Sequence, residues 1–164
     1  MKTIGAMRLI SKSKLMAFRQ CPKRLWLELH RPELREDSAG TLISFQVGRQ
    51  VGDVAKHIYD PNGTGSVIDV KGEGFEGAFV RSEKLLAESQ QPIFEAGFKA
   101  KGALAFADVM LPAGENGSPK WRMVEVKSST CVKDYHRDDV AVQAFIAQEA
   151  SVKLESIAVA CIDS

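Results

Sequence analysis

The chain has 164 residues, of which 45% are hydrophobic and 26% charged, and its formal net charge is +1. These values are ordinary for one soluble globular domain spanning residues 1–164. No apolar run approaches the ~20 residues of a membrane-spanning helix, and the N-terminal residues lack the apolar segment of an export signal. Three cysteines without disulfide-like spacing suit a reducing cytoplasm. A net charge near zero neither requires nor excludes a nucleic-acid partner.

The first third of the chain is predicted to be helical. A short helix precedes a second helix that begins at Pro22, a residue suited to a first helical turn. A third helix is predicted over residues 44–59, where apolar residues recur at helical spacing. Its two glycines, Gly48 and Gly52, weaken a helix and are therefore expected to mark close packing against another backbone.

Positive charge is concentrated in the same region. The basic residues there are Lys12, Lys14, Arg19, Lys23, Arg24, His30 and Arg31. They form either an ordinary solvated helix surface or a patch that contacts phosphate groups.

After residue 66 the pattern predicts strands with flanking helices. The predicted elements are a short edge strand at 67–70, a helix at 75–89, strands at 93–98, 104–111 and 121–127, a helix at 138–150 and a last strand at 156–161. Residues 112–119 predict a turn between two strands. Helices, then a three-strand meander, then a helix and a strand indicate an α+β or mixed α/β fold. Because the chain stops at Ser164 as an apolar strand finishes, both a complete short protein and a fragment truncated at its C-terminus are compatible with it.

Two of these strands carry acidic residues among apolar ones. Asp108 is predicted to share a face with Phe106 and Met110, and Glu125 shares a face with Lys127 because side chains alternate along a strand. Carboxylates are rarely buried without a partner, and two neighbouring acids repel each other unless a cation lies between them. Either the ammonium group of Lys127 in a structural ion pair or a divalent metal would supply that cation.

Three further residues fit a metal site, and each has a structural alternative. His57 follows the glycine-bearing helix and either binds the metal or interacts favourably with the helix C-terminus. Glu95 lies on the strand before Asp108 and either joins the site or pairs with a nearby Lys or Arg. Gln143, on the predicted inward side of the helix at 138–150, either orients water or phosphate or binds a backbone group of a strand.

In order and spacing these residues resemble the PD-(D/E)XK nuclease superfamily, in its RecB-like branch, which includes CRISPR-associated exonucleases with an iron–sulfur cluster. The segments CPKRLWL and EVKSSTCVKDYH are similar to an uncharacterised bacterial group of RecB-like nucleases, and the resemblance covers nearly the whole chain. Ala107 stands where the proline that names the superfamily precedes the acid. The matching positions are Cys21 in FRQCPKRLWL, His57 in VGDVAKH, Asp108 in FADVML, Glu125 and Lys127 in VEVKSS, and Gln143 in QAFI.

The resemblance implies a restriction-endonuclease-like core, with a central mixed β-sheet flanked by helices and an N-terminal helical segment. It also implies a Mg²⁺- or Mn²⁺-dependent exonuclease that cleaves DNA, either single-stranded or with free ends. The implied metal ligands are His57, Asp108, Glu125 and the Val126 carbonyl. Lys127 would position or activate the attacking water, with help from Gln143. The implied substrate contacts are Glu95, Tyr135 and His136.

The cysteines depart from the iron–sulfur relatives, which carry three further cysteines near the C-terminus. Here only Cys131 and Cys161 follow Cys21, so no cluster is expected in this chain, and Cys21 would ligate one only within a longer chain. Two other functions remain open: an inactive nuclease fold that binds nucleic acid in a salt-dependent way, and a small-molecule hydrolase with a closed apolar pocket. RNA as the substrate, endonuclease cleavage and any oligomeric state are also open.

Overall fold

The computed structural model describes residues 9–114 and 119–163. Within these residues, helices flank a six-stranded mixed sheet. The elements are β1 (Ile10–Ser11), α1 (Lys12–Gln20), α2 (Pro22–His30), a 3-10 helix (Pro32–Leu34), α3 (Ala39–Tyr59), β2 (Ser66–Val67), α4 (Val70–Glu88), β3 (Ile93–Ala100), β4 (Ala103–Pro112), β5 (Trp121–Val126), α5 (Asp134–Glu149) and β6 (Leu154–Ala160). In the described part of the chain, no helix is both long and apolar enough to cross a bilayer.

The sheet is built around the predicted three-strand meander. Strands β3, β4 and β5 are antiparallel neighbours, and β2 and β6 extend the sheet by parallel pairing with β3 and β5. The short strand β1 pairs in parallel with the start of β4. The mixed α/β class and the meander are therefore confirmed. Residues 115–118 of the predicted turn lie outside the described residues.

Apolar side chains are buried on both faces of this sheet. On one face, residues of α4 and α5 pack against Ile93, Met110, Trp121 and Met123, and the indole N–H of Trp121 donates to the Leu86 carbonyl at 3.0 Å. Burying one such large apolar side chain stabilises the fold by roughly 1.5–3 kcal/mol. A smaller cluster on the other face contains Phe94, Val109 and Val124, with Tyr59 at the end of α3 packed against it. The sheet is thus held between α4 and α5 on one side and the end of α3 on the other.

The first helices differ from the predictions in their boundaries and packing. Helix α3 begins at Ala39 rather than at residue 44, because the Ser38 side chain caps it by accepting a hydrogen bond from the Thr41 N–H at 3.2 Å. The expected close packing at Gly48 and Gly52 is wrong, since a Cβ at either position would meet no atom within 4 Å.

Two later helices also begin earlier than predicted. The predicted edge strand at 67–70 is limited to Ser66–Val67, because the Asp69 carboxylate accepts from the Lys71 N–H and starts α4. Helix α5 begins at Asp134. The apolar spacing of this helix predicts that Phe145 points inward, and that prediction is wrong, because the side chain is exposed.

Candidate functional site

Strands β4 and β5 separate at the level of the predicted acids. Their ladder runs from Pro112 and Trp121 to Val109 and Val124 and then stops. The same register would next place Asp108 opposite Glu125. Instead, the Asp108 carboxylate (Oδ2) accepts a hydrogen bond from the Val126 backbone N–H at 2.7 Å. A side chain thus replaces the ladder bond, and the strands diverge.

The neighbouring ladder is also interrupted at this level. Strand β3 pairs Phe94 with Val109 and Ala96 with Ala107, but Glu95, which lies between them, makes no ladder pair. Glu95 has a φ of 59°, in the left-handed region. That conformation costs on the order of 1–3 kcal/mol for a residue other than glycine, and such strain is concentrated at functional sites.

The register therefore places three carboxylates at one level on three adjacent strands. They belong to Glu95 on β3, Asp108 on β4 and Glu125 on β5. The strict alternation predicted for Asp108 is broken here, because Ala107 and Met110 belong to one core cluster while Val109 belongs to the other. Asp108 lines a cleft together with Val109 instead of sharing a regular face with Phe106 and Met110.

Burial raises the pKa of Asp108 to about 7, and the negative charges of Glu125 and Glu95 contribute to the rise. The Val126 N–H and the more distant Lys12 act against it. Burial also raises the pKa of Glu95, although the Lys56 ammonium acts in the opposite direction. The part of the carboxylate row formed by Glu95 and Asp108 is therefore short of positive charge, as expected of a site that accepts a cation.

At its other end, the row enters an ion-pair network of Lys12, Lys127, Glu125 and Asp139. Lys12 Nζ lies 2.8 Å from Glu125 Oε1 and 3.2 Å from Asp139 Oδ1. Lys127 Nζ lies 2.7 Å from the same Glu125 oxygen and 2.5 Å from Asp139 Oδ2. Two ammonium groups thus balance two carboxylates in a closed ring of contacts.

The network holds Lys127 and Asp139 in their charged forms. Burial alone would lower the pKa of Lys127, but the carboxylates of Glu125 and Asp139 raise it above its usual range. Burial works in the opposite direction on Asp139, whose pKa is nevertheless lowered by the two lysines. Glu125 Oε2 is buried and has no hydrogen-bond partner among the described residues. An unsatisfied buried acceptor is uncommon and calls for an explanation such as a missing ion or water.

Two clefts open on either side of these residues. A cleft of about 540 Å³ lies between α3 and the sheet, and its lining includes Asp53, Lys56, Glu95, Asp108 and Val126. A second cleft of about 870 Å³ lies between α1 and α5, and its lining includes Lys12, Arg19, Lys127, Tyr135 and Asp139. We refer to them as the α3 cleft and the α1–α5 cleft.

The structure brings together most of the predicted strand residues and separates His57 from them. The contacts described above make neighbours of five predicted residues: Glu95, Asp108, Glu125, Val126 and Lys127. His57 is exposed on α3 and does not line the α3 cleft. The same helix turns Asp53 and Lys56 toward the cleft, so the helical phase excludes His57 as a ligand in this arrangement.

The structural alternative holds for Gln143. Its side chain is fully buried, and its Nε2 donates to the Phe106 carbonyl at 2.5 Å, beside the point where β4 and β5 separate. Orienting water or phosphate, the role expected from the resemblance, stays a prediction, and in this conformation the Gln143 amide bonds to the strand instead. Its Oε1 is a second buried acceptor without a partner in the described chain.

The two predicted substrate contacts of α5 differ in exposure. Tyr135 is exposed and lines the α1–α5 cleft. His136 is buried, and its Nδ1 accepts from the Lys133 backbone N–H at 3.2 Å, which stabilises the start of α5. The substrate contact expected of His136 stays a prediction, and in this conformation its side chain is buried.

The cysteines do not converge in the described residues. Cys21 is exposed at the junction of α1 and α2, and Cys131 is also exposed. Cys161 is half-buried just after β6, with its Sγ 3.8 Å from Ser129 Oγ, so its predicted position inside a strand is only approximately right.

Sequence reasoning missed Lys12 and Asp139. Asp139 lies four residues before Gln143 on α5, and this spacing places both on one helix face. It is the signal by which Asp139 could have been found. Lys12 was only one of several basic residues near the N-terminus, and its contact with Glu125 joins positions 113 apart, which no local pattern indicates.

The donor set fits a hard divalent cation in its chemistry. Asp108, Glu125 and Glu95 offer carboxylate oxygens, which Mg²⁺ and Mn²⁺ prefer, and one of the Glu125 oxygens has no partner among the described residues. In the conformation seen for residues 9–114 and 119–163, no three His, Cys, Asp or Glu side chains enclose a metal position.

Neither a model of a known protein family nor a curated protein matches the chain. Function is therefore inferred from the geometry and charge of this site.

Proposed function

We propose that this protein is a Mg²⁺- or Mn²⁺-dependent deoxyribonuclease, an exonuclease of the RecB-like type built on a restriction-endonuclease-like core. Its substrate is cytoplasmic DNA that is single-stranded or has free ends. The observation that carries the proposal is the convergence of Asp108, Glu125 and Lys127 where β4 and β5 separate.

The acids support the proposal because the surrounding positive charge does not fully balance their negative charge. Asp108 has a pKa raised to about 7 by burial and by neighbouring carboxylates, and Glu125 keeps one oxygen without a partner in the described chain. Asp108, Glu125 and the Val126 carbonyl are the groups that would hold the metal. A bound divalent ion would lower the pKa of a water molecule and stabilise the negative charge that develops on the phosphate.

The charge state of Lys127 favours an electrostatic role in the proposed reaction over the role of a general base. Its pKa is raised above the usual range, so the ammonium group keeps its proton at neutral pH. A permanently charged ammonium group beside Glu125 stabilises negative charge on a phosphate, but it cannot remove a proton from water. Within the proposal, Lys127 therefore binds and polarises the substrate, and proton removal falls to another group.

Cleavage of end-labelled single- and double-stranded DNA tests the proposal. We expect digestion that requires Mg²⁺ or Mn²⁺ and stops with EDTA. Glu125→Gln and Lys127→Met should each reduce the rate by roughly 10²–10³, the usual loss when one preorganised charge or donor is removed from such a site. Glu155→Gln, an exposed acid on β6 that pairs with Arg122 and lines neither cleft, is the matched control and should cleave normally.

A second measurement, of protein stability in the presence of Mg²⁺, tests metal binding separately from DNA cleavage. Mg²⁺ at about 100 times its dissociation constant should stabilise the folded wild-type protein by roughly 2.7 kcal/mol, and Asp108→Asn should lose most of that effect. Folded Glu125→Gln and Lys127→Met proteins that digest DNA at the wild-type rate would refute the nuclease proposal.

A nucleic-acid-binding module without hydrolysis is the second candidate, and one observation favours it. Lys12 and Lys127 already occupy Glu125 Oε1, so ammonium groups meet part of the charge demand that a metal would otherwise meet. This candidate predicts salt-dependent DNA binding, no stabilisation by Mg²⁺ and no metal-stimulated cleavage.

A further inference from the structure

We propose that Lys12 is a substrate-binding residue, which together with Lys127 binds a phosphate group of the DNA backbone in the α1–α5 cleft. The inference rests on the proposed nucleic-acid substrate and assigns part of its binding site. The sequence offered Lys12 only as one of seven basic residues near the N-terminus, and its contacts with Glu125 and Asp139 now distinguish it from the others.

Shared carboxylates hold the two ammonium groups next to each other. Both lie within 2.8 Å of the same oxygen, Glu125 Oε1, and both lie near the carboxylate of Asp139. Two like charges in this position repel each other, so they stay together only because the two acids lie between them. The acids therefore act as a frame that fixes a pair of cations.

Each ammonium group retains a donor for a ligand. A lysine ammonium carries three N–H donors, and the contacts with Glu125 and Asp139 occupy at most two on each lysine. The side chains are 18% and 22% exposed, and both line the α1–α5 cleft. A phosphate with several acceptor oxygens is the ligand that two adjacent, partly exposed ammonium groups suit best.

The rest of the cleft lining carries both signs of charge, because Asp134 and Asp138 lie there as well as basic residues, and Asp138 pairs with Arg19. Arg19 and Arg24 line the cleft further along α1 and α2, and exposed Tyr135 offers an aromatic ring on the α5 side. Basic side chains followed by an aromatic ring suit a single strand, whose phosphates bind the cations while a base stacks on the ring.

The backbone that carries Lys12 is fixed to the strand that carries Asp108. Strand β1 pairs with the start of β4, and the Ile10 N–H donates to the Gly102 carbonyl at 2.9 Å. Helix α1 begins directly after β1, so Lys12 is its first residue. A binding residue held this way keeps its position relative to the acids.

The competing explanation is that Lys12 only balances the charges of Glu125 and Asp139. The test measures binding of a fluorescein-labelled single-stranded DNA by anisotropy, in EDTA, at a series of KCl concentrations. Each phosphate contact contributes about 0.7 to the slope of log K against log salt for single strands. Lys12→Met should lower the slope by about 0.7. Lys14→Met, two residues along α1 and paired with Glu28, should leave it unchanged.

A double variant separates the two explanations. Lys12→Met with Asp139→Asn removes one positive and one negative charge, so the network stays balanced. If Lys12 contacts phosphate, the double variant still shows the reduced slope, whereas a wild-type slope would overturn the proposal. Thermal unfolding reports whether each variant is folded. If Lys12→Met alone fails to fold, the double variant decides.

This experiment is independent of cleavage. Because EDTA is present throughout, a reduced slope in Lys12→Met supports the phosphate contact even if Glu125→Gln later shows that the chain is not a nuclease. Lys12→Arg keeps the charge and should restore the wild-type slope. A wild-type slope in folded Lys12→Met would reject the contact while leaving the nuclease proposal intact.

Discussion

The two ends of the carboxylate row differ in how their charge is balanced. Toward α5, Glu125 and Asp139 are matched by Lys12 and Lys127, and the pKa of Asp139 is lowered. Toward α3, burial and neighbouring acids raise the pKa of Asp108. The carboxylates of Asp139 on α5 and Asp108 on β4, which both neighbour Glu125, thus have opposite environments. A pre-neutralised end suits an anionic ligand, and an end short of positive charge suits a cation.

Asp139→Ala would break the balanced end and has the largest expected effect. Removing one partner leaves two lysines on a single buried carboxylate, and breaking a buried ion pair usually costs about 3–5 kcal/mol. The free energy of unfolding, measured in urea, should fall by that amount at low ionic strength. Asp138→Ala removes a more exposed partner of Arg19 and should cost at most about 1 kcal/mol. Equal losses in the two variants would contradict the buried network.

Asp108→Asn removes a buried negative charge from the part of the row near α3, and it should stabilise the metal-free protein in a pH-dependent way. The folded-state pKa of Asp108, about 7, lies above its ordinary value of 3.8, so the wild-type protein loses stability as pH rises between these values. The difference is largest above pH 7, where its upper bound is roughly 4 kcal/mol at 1.36 kcal/mol per pKa unit. An asparagine keeps an oxygen that can accept from the Val126 N–H.

Urea unfolding of both proteins at several pH values measures the effect of Asp108. Near pH 3 the two stabilities should agree, and the variant should gain as the pH increases. Saturating Mg²⁺ should reduce the difference by stabilising only the wild-type protein. A gain that is the same at all pH values would show that charge is not its cause.

Gln143→Ala tests the hydrogen bond that α5 makes to β4 beside the point where β4 and β5 separate. Its amide replaces a ladder bond to the Phe106 carbonyl, and leaving that buried acceptor without a partner costs about 1–3 kcal/mol. Urea unfolding should show this loss. In EDTA, the salt dependence of DNA binding should not change, because the side chain reaches neither cleft. Gln148→Ala, on the exposed side of α5, is the matched control.

Glu95 offers the smallest effect and separates charge from strain. Glu95→Gly removes both the carboxylate and the cost of a φ of 59°, whereas Glu95→Gln removes the charge alone. The glycine variant should be more stable than the glutamine variant by about 1 kcal/mol. The difference between their free energies of unfolding, from urea midpoints, measures the relief of strain minus the cost of glycine's greater unfolded-chain entropy and lost side-chain contacts. A glycine variant less stable than the glutamine variant would show that the relief of strain is smaller than that cost.

Local patterns predicted the parts of the site that lie on regular structure. Glu125 and Lys127 lie two positions apart at the end of a regular strand, so alternation placed them together correctly, as the contact between their side chains shows. Asp108 was assigned to the right strand, but its face could not be predicted because the left-handed backbone at Glu95 and the separation of β4 from β5 interrupt the alternation.

The remaining features of the site could not be predicted because they depend on the rotational phase of a helix or on contacts between distant parts of the chain. His57 was chosen by residue type, yet α3 turns Asp53 and Lys56 to the cleft. The capping Ser38 lies in a stretch that read as a loop, so the start of α3 was missed. Lys12 meets Glu125 only because β1 pairs with β4 and α1 packs against α5, and these contacts depend on the whole fold.

The Lys12–Glu125 contact has a consequence for how the protein is made. It joins positions 113 apart, so it cannot form until β5 has left the ribosome, long after α1 was synthesised. Closing so long a loop is slow compared with forming a helix. A nascent chain therefore carries Lys12 long before Glu125, and the charge network of Glu125 can be completed only after residue 125 has left the ribosome.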